Sequence, residues 1–507
     1  MRTAALRRVH AMLHVCATTA VAFACSSDFP DEPDRAVTLE AIDWPTELHV
    51  TDTVTVEVRL QFRDSPQAIT GLRLRWISSN ESVLRVVPLT PLDSGSRGDT
   101  LVAQTRAELI GKLGGVDTVR VVVEPGSGFE PAEITHVIPV NQKWTAVSAG
   151  AKHTCGITVD SVAYCWGEGI NGRLGAGPNS STKPTAVLAL GAYRFVAVSA
   201  GDESTCGIIR EHVAFCWGSN TDGRLGIGDA TETARFIPTA VSGPAFNAID
   251  VGRVACSLGE TGAAFCWGTN IEKELGRAAG QSPALPICAD GLSPGCSLVP
   301  LQLLVGPPTS YRQITVGGHH VCGLSETPES MLAFCWGTGS SGALGSASSS
   351  PTPVPVAGSF HFLAIAAGGD HTCGIATTGV TYCWGLNTSG QLGSSTSGNV
   401  ATPSLITPGS FASITAGGQH TCALTSAGEA LCWGLGSSGQ LGTDSTIQRT
   451  PRAVSTGLVF TMLSAGESHT CGVAFDGSLY CWGAGTNGQL GTNDFLNRNR
   501  PTRVAEP

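Results

Sequence analysis

Residues 415–442 read TAGGQHTCALTSAGEALCWGLGSSGQLG, and the interpretation of this stretch decides the fold. Its Cys-Trp-Gly core, at 432–434, occurs seven times along the 507-residue chain, at Trp166, Trp217, Trp267, Trp336, Trp384, Trp433 and Trp482. Successive spacings are 51, 50, 69, 48, 49 and 49 residues. A period near fifty with one fixed motif is the mark of a repeat architecture. Each motif is followed by a Leu-Gly pair, from Leu174-Gly175 to Leu490-Gly491, and preceded by another cysteine.

The spacing between the paired cysteines has a geometric reading. Between Cys422 and Cys432 lie two short strands around Ser426-Ala427-Gly428, and Gly262, Gly379 and Gly477 hold the same third loop position. This predicts a three-residue hairpin closed by a left-handed glycine bulge. Counting outward, Thr425 faces Glu429 at a hydrogen-bonded pair and Cys422 faces Cys432 at a non-hydrogen-bonded pair, within disulfide reach. The expected disulfides are Cys155–Cys165, Cys206–Cys216, Cys256–Cys266, Cys322–Cys335, Cys373–Cys383, Cys422–Cys432 and Cys471–Cys481. Each contributes roughly 3 kcal/mol through the entropy of the unfolded chain. By period-two alternation Tyr164 and Trp166 point away from the cysteine face. The positions opposite Tyr164 and its equivalents hold Gly156, Gly207, Ser257, Gly323, Gly374, Ala423 and Gly472, read as making room for the aromatic ring. The seven motif tryptophans, from Trp166 to Trp482, are thereby expected to pack adjacent blades together and not to face a ligand.

A third repeated signal is a Pro-x-x-Val-like strand at Pro184, Pro238, Pro300, Pro353, Pro403, Pro451 and Pro501. The last of these follows the final motif, so the C-terminal strand is expected to complete the first blade and close the ring. Val137–Val140 is a weaker rival for that place. The fold class is therefore all-β: a seven-bladed β-propeller over residues 141–507, preceded by an N-terminal β-sandwich. The strings A-G-x-x-H-T-C-G-I, Y-C-W-G and N-G-Q-L-G resemble the repeats of the regulator of chromosome condensation family, a propeller superfamily that includes the β-lactamase inhibitor protein II. The resemblance spans all seven repeats. It implies the fold and says little about function, because one propeller serves many partners. In the nuclear members it implies nucleotide exchange on a small GTPase and contact with chromatin. Export, disulfides and an acidic propeller, 17 Lys/Arg against 22 Asp/Glu from residue 143 onward, argue against both here.

Residues 36–125 contain no cysteine and alternate over Val54–Leu60, 72–76, 83–87, 101–107 and 118–123, as an antiparallel sandwich does. Trp76-Ile77-Ser78-Ser79-Asn80, with Gly114–Val123, resembles bacterial Ig-like domains, which implies a stalk or spacer; Trp44 and Trp76 are expected in its core. Residues 126–140 read as a linker, with Pro125–Pro131 rich in Gly and Pro. At the start, Arg2, Arg7 and Arg8 precede an apolar run ending in Ala22-Phe23-Ala24, so residues 1–24 read as a secretory signal. Cleavage leaves Cys25 either as a free thiol or as the lipidated residue of a bacterial lipoprotein. Parity favours the lipoprotein: of 18 cysteines Cys16 leaves with the signal, sixteen pair, and Cys25 is left over. Residues 25–35 then form a tether. The expected location is the cell envelope or its outer surface, with secretion as the alternative.

The candidates for chemistry are few. His153, His320, His371, His420 and His469 lie two residues before the first cysteine of their repeats, with Ser204 and Val254 interrupting the series. A metal-lined channel is one reading; the other, preferred here, is a hydrogen bond within each blade. The cysteine pairs read as disulfides and not as zinc sites. Asp202-Glu203, Asp222, Asp229, Glu272 and Glu274 fall in turns without a repeated partner and read as solvated. No phosphate loop, nucleophile elbow or metal helix occurs, so no catalytic, cofactor or metal site is assigned and no enzyme is expected. The acidic balance, −10 overall, gives no reason to expect nucleic acid. The one irregularity is the 69-residue spacing, which inserts a loop at about 277–299 with Cys288 and Cys296 expected to pair. Together these features suggest a non-catalytic binding module that presents loops to a protein partner, a glycan being possible. Regulation or inhibition of an envelope enzyme is the alternative.

Overall fold

The computed structural model describes residues 37–507 except 43, 63–73, 90–92, 98–99, 113, 125–131, 180, 278–294, 304–307, 327–330, 347 and 396. The signal segment, Cys25, Cys288 and most of the inserted loop lie outside the described residues.

Residues 37–141 form two sheets. One orders Val37–Ile42, Thr53–Phe62, Thr100–Gly111 and Leu84–Pro88, with Asp93–Arg97 also on the long central strand. The other orders Leu48–His49, Glu133–Asn141, Gly115–Val123 and Leu74–Ser78. Their alternate residues meet in one core: Val56, Leu84 and Leu109 from the first, Leu48, Val119, Ile138 and Val140 from the second. Trp44 and Trp76 pack against that core, stacked 5.9 Å apart, each indole N–H bonded to a partner. The linker expectation for 126–140 is corrected. Glu133–Asn141 runs antiparallel to Gly115–Val123 and parallel to Leu48–His49. Its apolar alternation, which buries Ile138 and Val140, is that of a strand with one face on a core. Gln142 and Lys143 alone separate it from the next strand, Trp144–Ala149.

From Trp144 onward seven four-stranded antiparallel sheets follow in chain order. Sheet 1 contains Trp144–Ala149, His153–Thr158, Ala163–Gly167 and Lys183–Leu188. Sheets 2 to 7 repeat it over 195–240, 246–302, 311–355, 362–410, 413–453 and 460–503. The hairpin register is as read from the sequence: Cys155 faces Cys165 and Cys422 faces Cys432, with the loop glycines Gly379, Gly428 and Gly477 at φ 81°, 78° and 87°. All seven hairpin disulfides are present, with Cα–Cα separations of 4.1–4.2 Å. Cys296 is disulfide-bonded at the start of the outer strand of sheet 3.

The ring does not close by strand exchange. Arg498–Arg503 is the outer strand of sheet 7, paired with Leu479–Gly483, and sheet 1 has all four strands of its own. The sequence count leaves out the inner strands, six of which open with Trp144, Phe195, Phe246, Tyr311, Phe362 and Phe460 and the seventh, in sheet 6, with Ser413. With those included each repeat supplies four strands, and none is left over. Sheet 7 meets sheet 1 face to face instead, through Trp144–Ala149 against Phe460–Ala465 and His469–Ala474.

The adjacency of Cys and Trp in the motif explains how the sheets stack. Neighbouring residues of a strand point to opposite faces, so each sheet carries its disulfide on one face and its indole on the other. Trp217 covers Cys155 and Cys165, Trp267 covers Cys206 and Cys216, and Trp336 covers Cys256 and Cys266. Trp384 covers Cys322 and Cys335, Trp433 covers Cys373 and Cys383, and Trp482 covers Cys422 and Cys432. Trp166 completes the round by covering Cys471 and Cys481. All seven of these tryptophans are fully buried, between one sheet and the next, as the blade-packing expectation required. Burying an aromatic of roughly 150–250 Å2 at about 25 cal/mol per Å2 is worth about 4–6 kcal/mol as an upper bound. The small residue opposite Tyr164 has a different purpose from the one expected. A Cβ on Gly156 would lie 2.7 Å from the Trp144 ring, and one on Gly374 2.7 Å from Phe362, so these glycines admit the aromatic that opens the inner strand. The motif glycine is required for a second reason: Gly167 has φ 106° at a bulge, and a Cβ there would meet Lys152 O at 2.6 Å.

Candidate functional site

The repeated polar residues join one sheet to the next. The histidines bond between sheets, not within them as expected: His153 Nε2 to Thr205 at 2.7 Å, His320 to Thr372 at 2.8 Å, His371 to Thr421 at 2.8 Å, His420 to Thr470 at 2.9 Å and His469 to Thr154 at 2.8 Å. Each threonine hydroxyl gives its one proton to a backbone carbonyl, of Arg173, Ala343, Gln391, Gln440 or Gln489. Each Nε2 must therefore be the donor, which leaves Nδ1 unprotonated; all five Nδ1 atoms are buried without a partner. Burial pushes His320 down to about 4, and His371, His420 and His469 to about 3, the ring being neutral as the tautomer requires. Ser204 and Val254, which lack the imidazole, face Ala255 and Val321, which lack the hydroxyl. The imidazole and the hydroxyl are missing together at both joints, and the Ser204 hydroxyl is left buried without a partner.

Six of the seven motif indoles donate to a carbonyl of the preceding sheet: Trp267 to Arg224 O at 3.1 Å, Trp336 to Glu274 O at 2.7 Å, Trp384 to Ala343 O at 2.9 Å, and Trp433, Trp482 and Trp166 to Gln391 O, Gln440 O and Gln489 O at 3.0 Å. A third set runs from inner strand to inner strand. Ser148, Ser199, Thr315, Thr415 and Ser464 hydroxyls accept the N–H of Ala200, Val251, Ala367, Ala465 and Ala149. Asp250 replaces a hydroxyl in this series, accepting from Val316 N at 2.7 Å and from Ser199 Oγ at 2.9 Å. The fourth set is backbone alone, around the axis. Ala151, Asp202, Gly318, Gly369, Gly418 and Glu467 donate to the carbonyls of Gly201, Gly252, Gly368, Gly417, Gly466 and Gly150. This approach requires glycine, because a Cβ on Gly466 would sit 2.3 Å from Gly150 O. Between sheets 3 and 4 the bond is missing, since the turn Gly252-Arg253 is one residue shorter than the others.

Around that glycine ring a cavity of about 540 Å3 opens, lined by the inner turns of all seven sheets. Its walls are Ala, Gly and Val. The residue just before the histidine position differs in every sheet: Lys152, Glu203, Arg253, His319, Asp370, Gln419 and Ser468, and all seven line the cavity. Asp202, Glu467, Glu168 and Arg173 join them. Arg173 is buried against Glu168 at 2.8 Å and also donates to Asp202 O at 3.0 Å. Glu203 meets Arg224 at 3.1 Å, and His319 Nδ1 meets Asp370 at 3.0 Å. Burial raises the carboxyl of Asp202 despite Arg224 and Arg253, and burial together with the Asp202 charge raises that of Glu467.

The carboxylates read as solvated divide. Asp229 bonds Thr231 and Arg235 on the surface as such a residue does. Asp202 and Glu203 line the axial cavity instead. Glu274 is 1 % exposed, and burial raises its carboxyl to about 7. It accepts Glu272 N, just as Gln391, Gln440 and Gln489 accept the N–H two residues before them. The cavity itself was missed, although the seven unlike residues at one repeat position were visible in the sequence. Among the described residues no group of three His, Cys, Asp or Glu is placed to hold a metal ion, and no helix is long and apolar enough to cross a membrane.

The regulator of chromosome condensation (RCC1) repeat profile matches residues 160–208, 211–259, 332–375, 378–424, 427–473 and 476–507, and a second profile of that repeat matches 144–173, 362–391 and 411–440. Among curated proteins, the ultraviolet-B receptor UVR8 of Arabidopsis thaliana is 28% identical over 244 residues, 47% of this chain and 52% of that protein. The E3 ubiquitin-protein ligase HERC2 of Mus musculus is 28% identical over 219 residues, 42% of this chain but 4% of that protein. The chain thus spans about half or less of these relatives' length. Among solved structures, yeast RCC1 (Prp20) bound to Kap60 aligns with TM-score 0.59 at 20% identity over 72% of this chain and 85% of that one. Human WBSCR16 aligns with TM-score 0.60 at 20% identity over 68% and 95%. Fold, motif and register agree: the chain belongs to the regulator of chromosome condensation repeat family.

Proposed function

We propose that the chain is a non-catalytic binding module, exported and held at the cell envelope, whose propeller receives a protein partner on the face around the axial cavity. The observation that carries this is the division of labour among repeat positions. Residues that recur hold sheet to sheet; the position that differs in all seven sheets is gathered around one opening. A site built by varying one position of a rigid ring suits recognition. The seven buried disulfides support an oxidising compartment. In this reading Cys25 is the lipid attachment, the sandwich a spacer, and the inserted loop at about 277–299 a second contact with the partner. The test is capture from solubilised envelope and secreted fractions on the full chain, with a bait lacking residues 280–298 beside it. A discrete protein retained on the first and weakened on the second is expected. Enrichment of nothing beyond what the sandwich alone retains overturns the reading.

A further inference from the structure

The charges around the axial cavity do not all find partners. Glu168 is taken by Arg173, Glu203 by Arg224, and Asp370 by His319. No hydrogen bond or ion pair to another described residue engages the carboxylates of Asp202 and Glu467, which line the opening from sheets 2 and 7. A third acceptor lines the cavity from sheet 4. Gly317 is buried and lines the cavity, and its carbonyl is the one member of the glycine ring that receives no N–H from the preceding sheet. Against these stand Arg253, whose guanidinium makes no ion pair with another described residue, and Lys152, 3.8 Å from Glu168, so the unpaired carboxylates outnumber the unpaired cation by one around a cavity of about 540 Å3, the size of ordinary small-molecule sites.

A divalent metal does not fit this arrangement, since no three ligating side chains converge among the described residues. An organic cation does: it brings both charge and several N–H donors, and its alkyl part can lie on the Ala and Gly walls. The Arg253 charge acts on Asp202 from sheet 3 and limits the occupant to one positive group near that carboxylate. We propose that the axial cavity receives a single ammonium or guanidinium group between Asp202 and Glu467. This deepens the binding reading above and rests on it. The group belongs either to a free amine or to a lysine or arginine side chain of a partner protein. Burial raises the Asp202 carboxyl, partial burial together with the Asp202 charge raises that of Glu467, and a bound cation lowers both.

The test is calorimetric titration of the full chain with three probes: n-butylamine, acetyl-Gly-Lys-Gly-amide, and the same peptide with norleucine in place of lysine. The lysine peptide is expected to bind at least tenfold more tightly than the norleucine peptide. The Asp202→Asn/Glu467→Gln double variant is expected to lose at least tenfold in lysine-peptide affinity with an unchanged melting temperature, and Asp444→Asn, far from the axis, to lose nothing. Lowering the pH from 7 to 4 weakens binding as the two carboxyls take up protons, with Lys152, Glu203, Arg224, Arg253 and His319 setting the midpoint. Butylamine as tight as the lysine peptide identifies a free amine; a tighter peptide identifies a partner's side chain. Equal binding of the norleucine peptide, full affinity in the double variant, or no binding by either cation overturns the proposal. A partner captured equally well by wild type and by the double variant also overturns it, while leaving the binding reading intact.

Discussion

Glu274 shows how a single residue departs from its repeat. Three sister sheets place glutamine there, and the backbone N–H it accepts is the same in each case. Glutamine is neutral, whereas the buried glutamate takes up a proton on folding, because burial raises its carboxyl to about 7. A raised carboxyl contributes no penalty below its unfolded value near pH 4.5, and stability is lost as pH rises from there through 7, by about 3 kcal/mol in all. Glu274→Gln is therefore expected to match the wild type in denaturant unfolding at pH 4 and to exceed it by about 2–3 kcal/mol at pH 8. Equal stabilities at pH 8 would refute the buried-glutamate account. The histidines work in the opposite sense. Their depressed values leave stability whole above 6.5 and withdraw it as pH falls toward 3–4, in wild type and variant alike. The sequence marked Glu274 as an acid in a turn. It could not show the desolvation, which arises where Trp336 of the next sheet donates to Glu274 O and closes over that turn.

At the scale of the sheet, the joints differ in how many kinds of link they hold. The joint between sheets 7 and 1 has all four: Glu467 to Gly150, Ser464 to Ala149, His469 to Thr154 and Trp166 to Gln489. The joint between sheets 3 and 4 keeps two, Asp250 to Val316 and Trp336 to Glu274. Local opening follows the thinnest set of contacts. Amide hydrogen exchange is accordingly expected to be at least tenfold faster in Tyr311–Val316 than in Trp144–Ala149. The double variant Val254→His/Val321→Thr, which supplies the missing imidazole and hydroxyl, is expected to narrow that gap by about 1–2 kcal/mol of protection. Uniform exchange around the ring would count against this ranking. Half of the pattern was legible beforehand. Ser204 and Val254 stood out as interruptions, but their partners lie 51 and 67 residues on, and the matching losses at Ala255 and Val321 gain meaning only once neighbouring sheets are seen to share the bond.

The whole molecule joins the ring to the sandwich more firmly than a linker does. Glu47 meets Arg503 at 2.7 Å and Asn141 at 2.8 Å, His49 meets Ser478 at 3.1 Å, and Glu506 accepts Gln142 N at 2.7 Å. The Arg503, Ser478 and Glu506 contacts bind the last strand, the hairpin turn of sheet 7 and the residues after it to the sandwich and its connection, and the Asn141 bond holds Glu47 in place within the sandwich. Glu47→Ala is expected to change propeller stability by less than about 1 kcal/mol, since exposed pairs are worth little, and adding Ser478→Ala, which takes away a buried partner of His49, to cost about 1–3 kcal/mol more. In small-angle scattering the combined variant should show a larger radius of gyration as the sandwich swings free; an unchanged scattering curve would mean that the remaining contacts suffice. The sequence disclosed the repeats, the disulfide register, the blade-packing tryptophans and the all-β class, because each is written in local spacing. It misjudged the closure and the 126–140 interval, because both depend on which strand finds which edge. That is a property of the assembled molecule, and no local pattern carries it.

Since every sheet comes from one uninterrupted stretch of chain and sheets 7 and 1 meet as inner neighbours do, the circle has no privileged origin. Cutting the gene at any turn between sheets and splicing the old ends would leave the same set of joints to be made. The heritable unit is a whole wedge, carrying an indole for the neighbour behind it and a disulfide for the one ahead, so duplication or loss of a wedge changes the circumference without orphaning a strand.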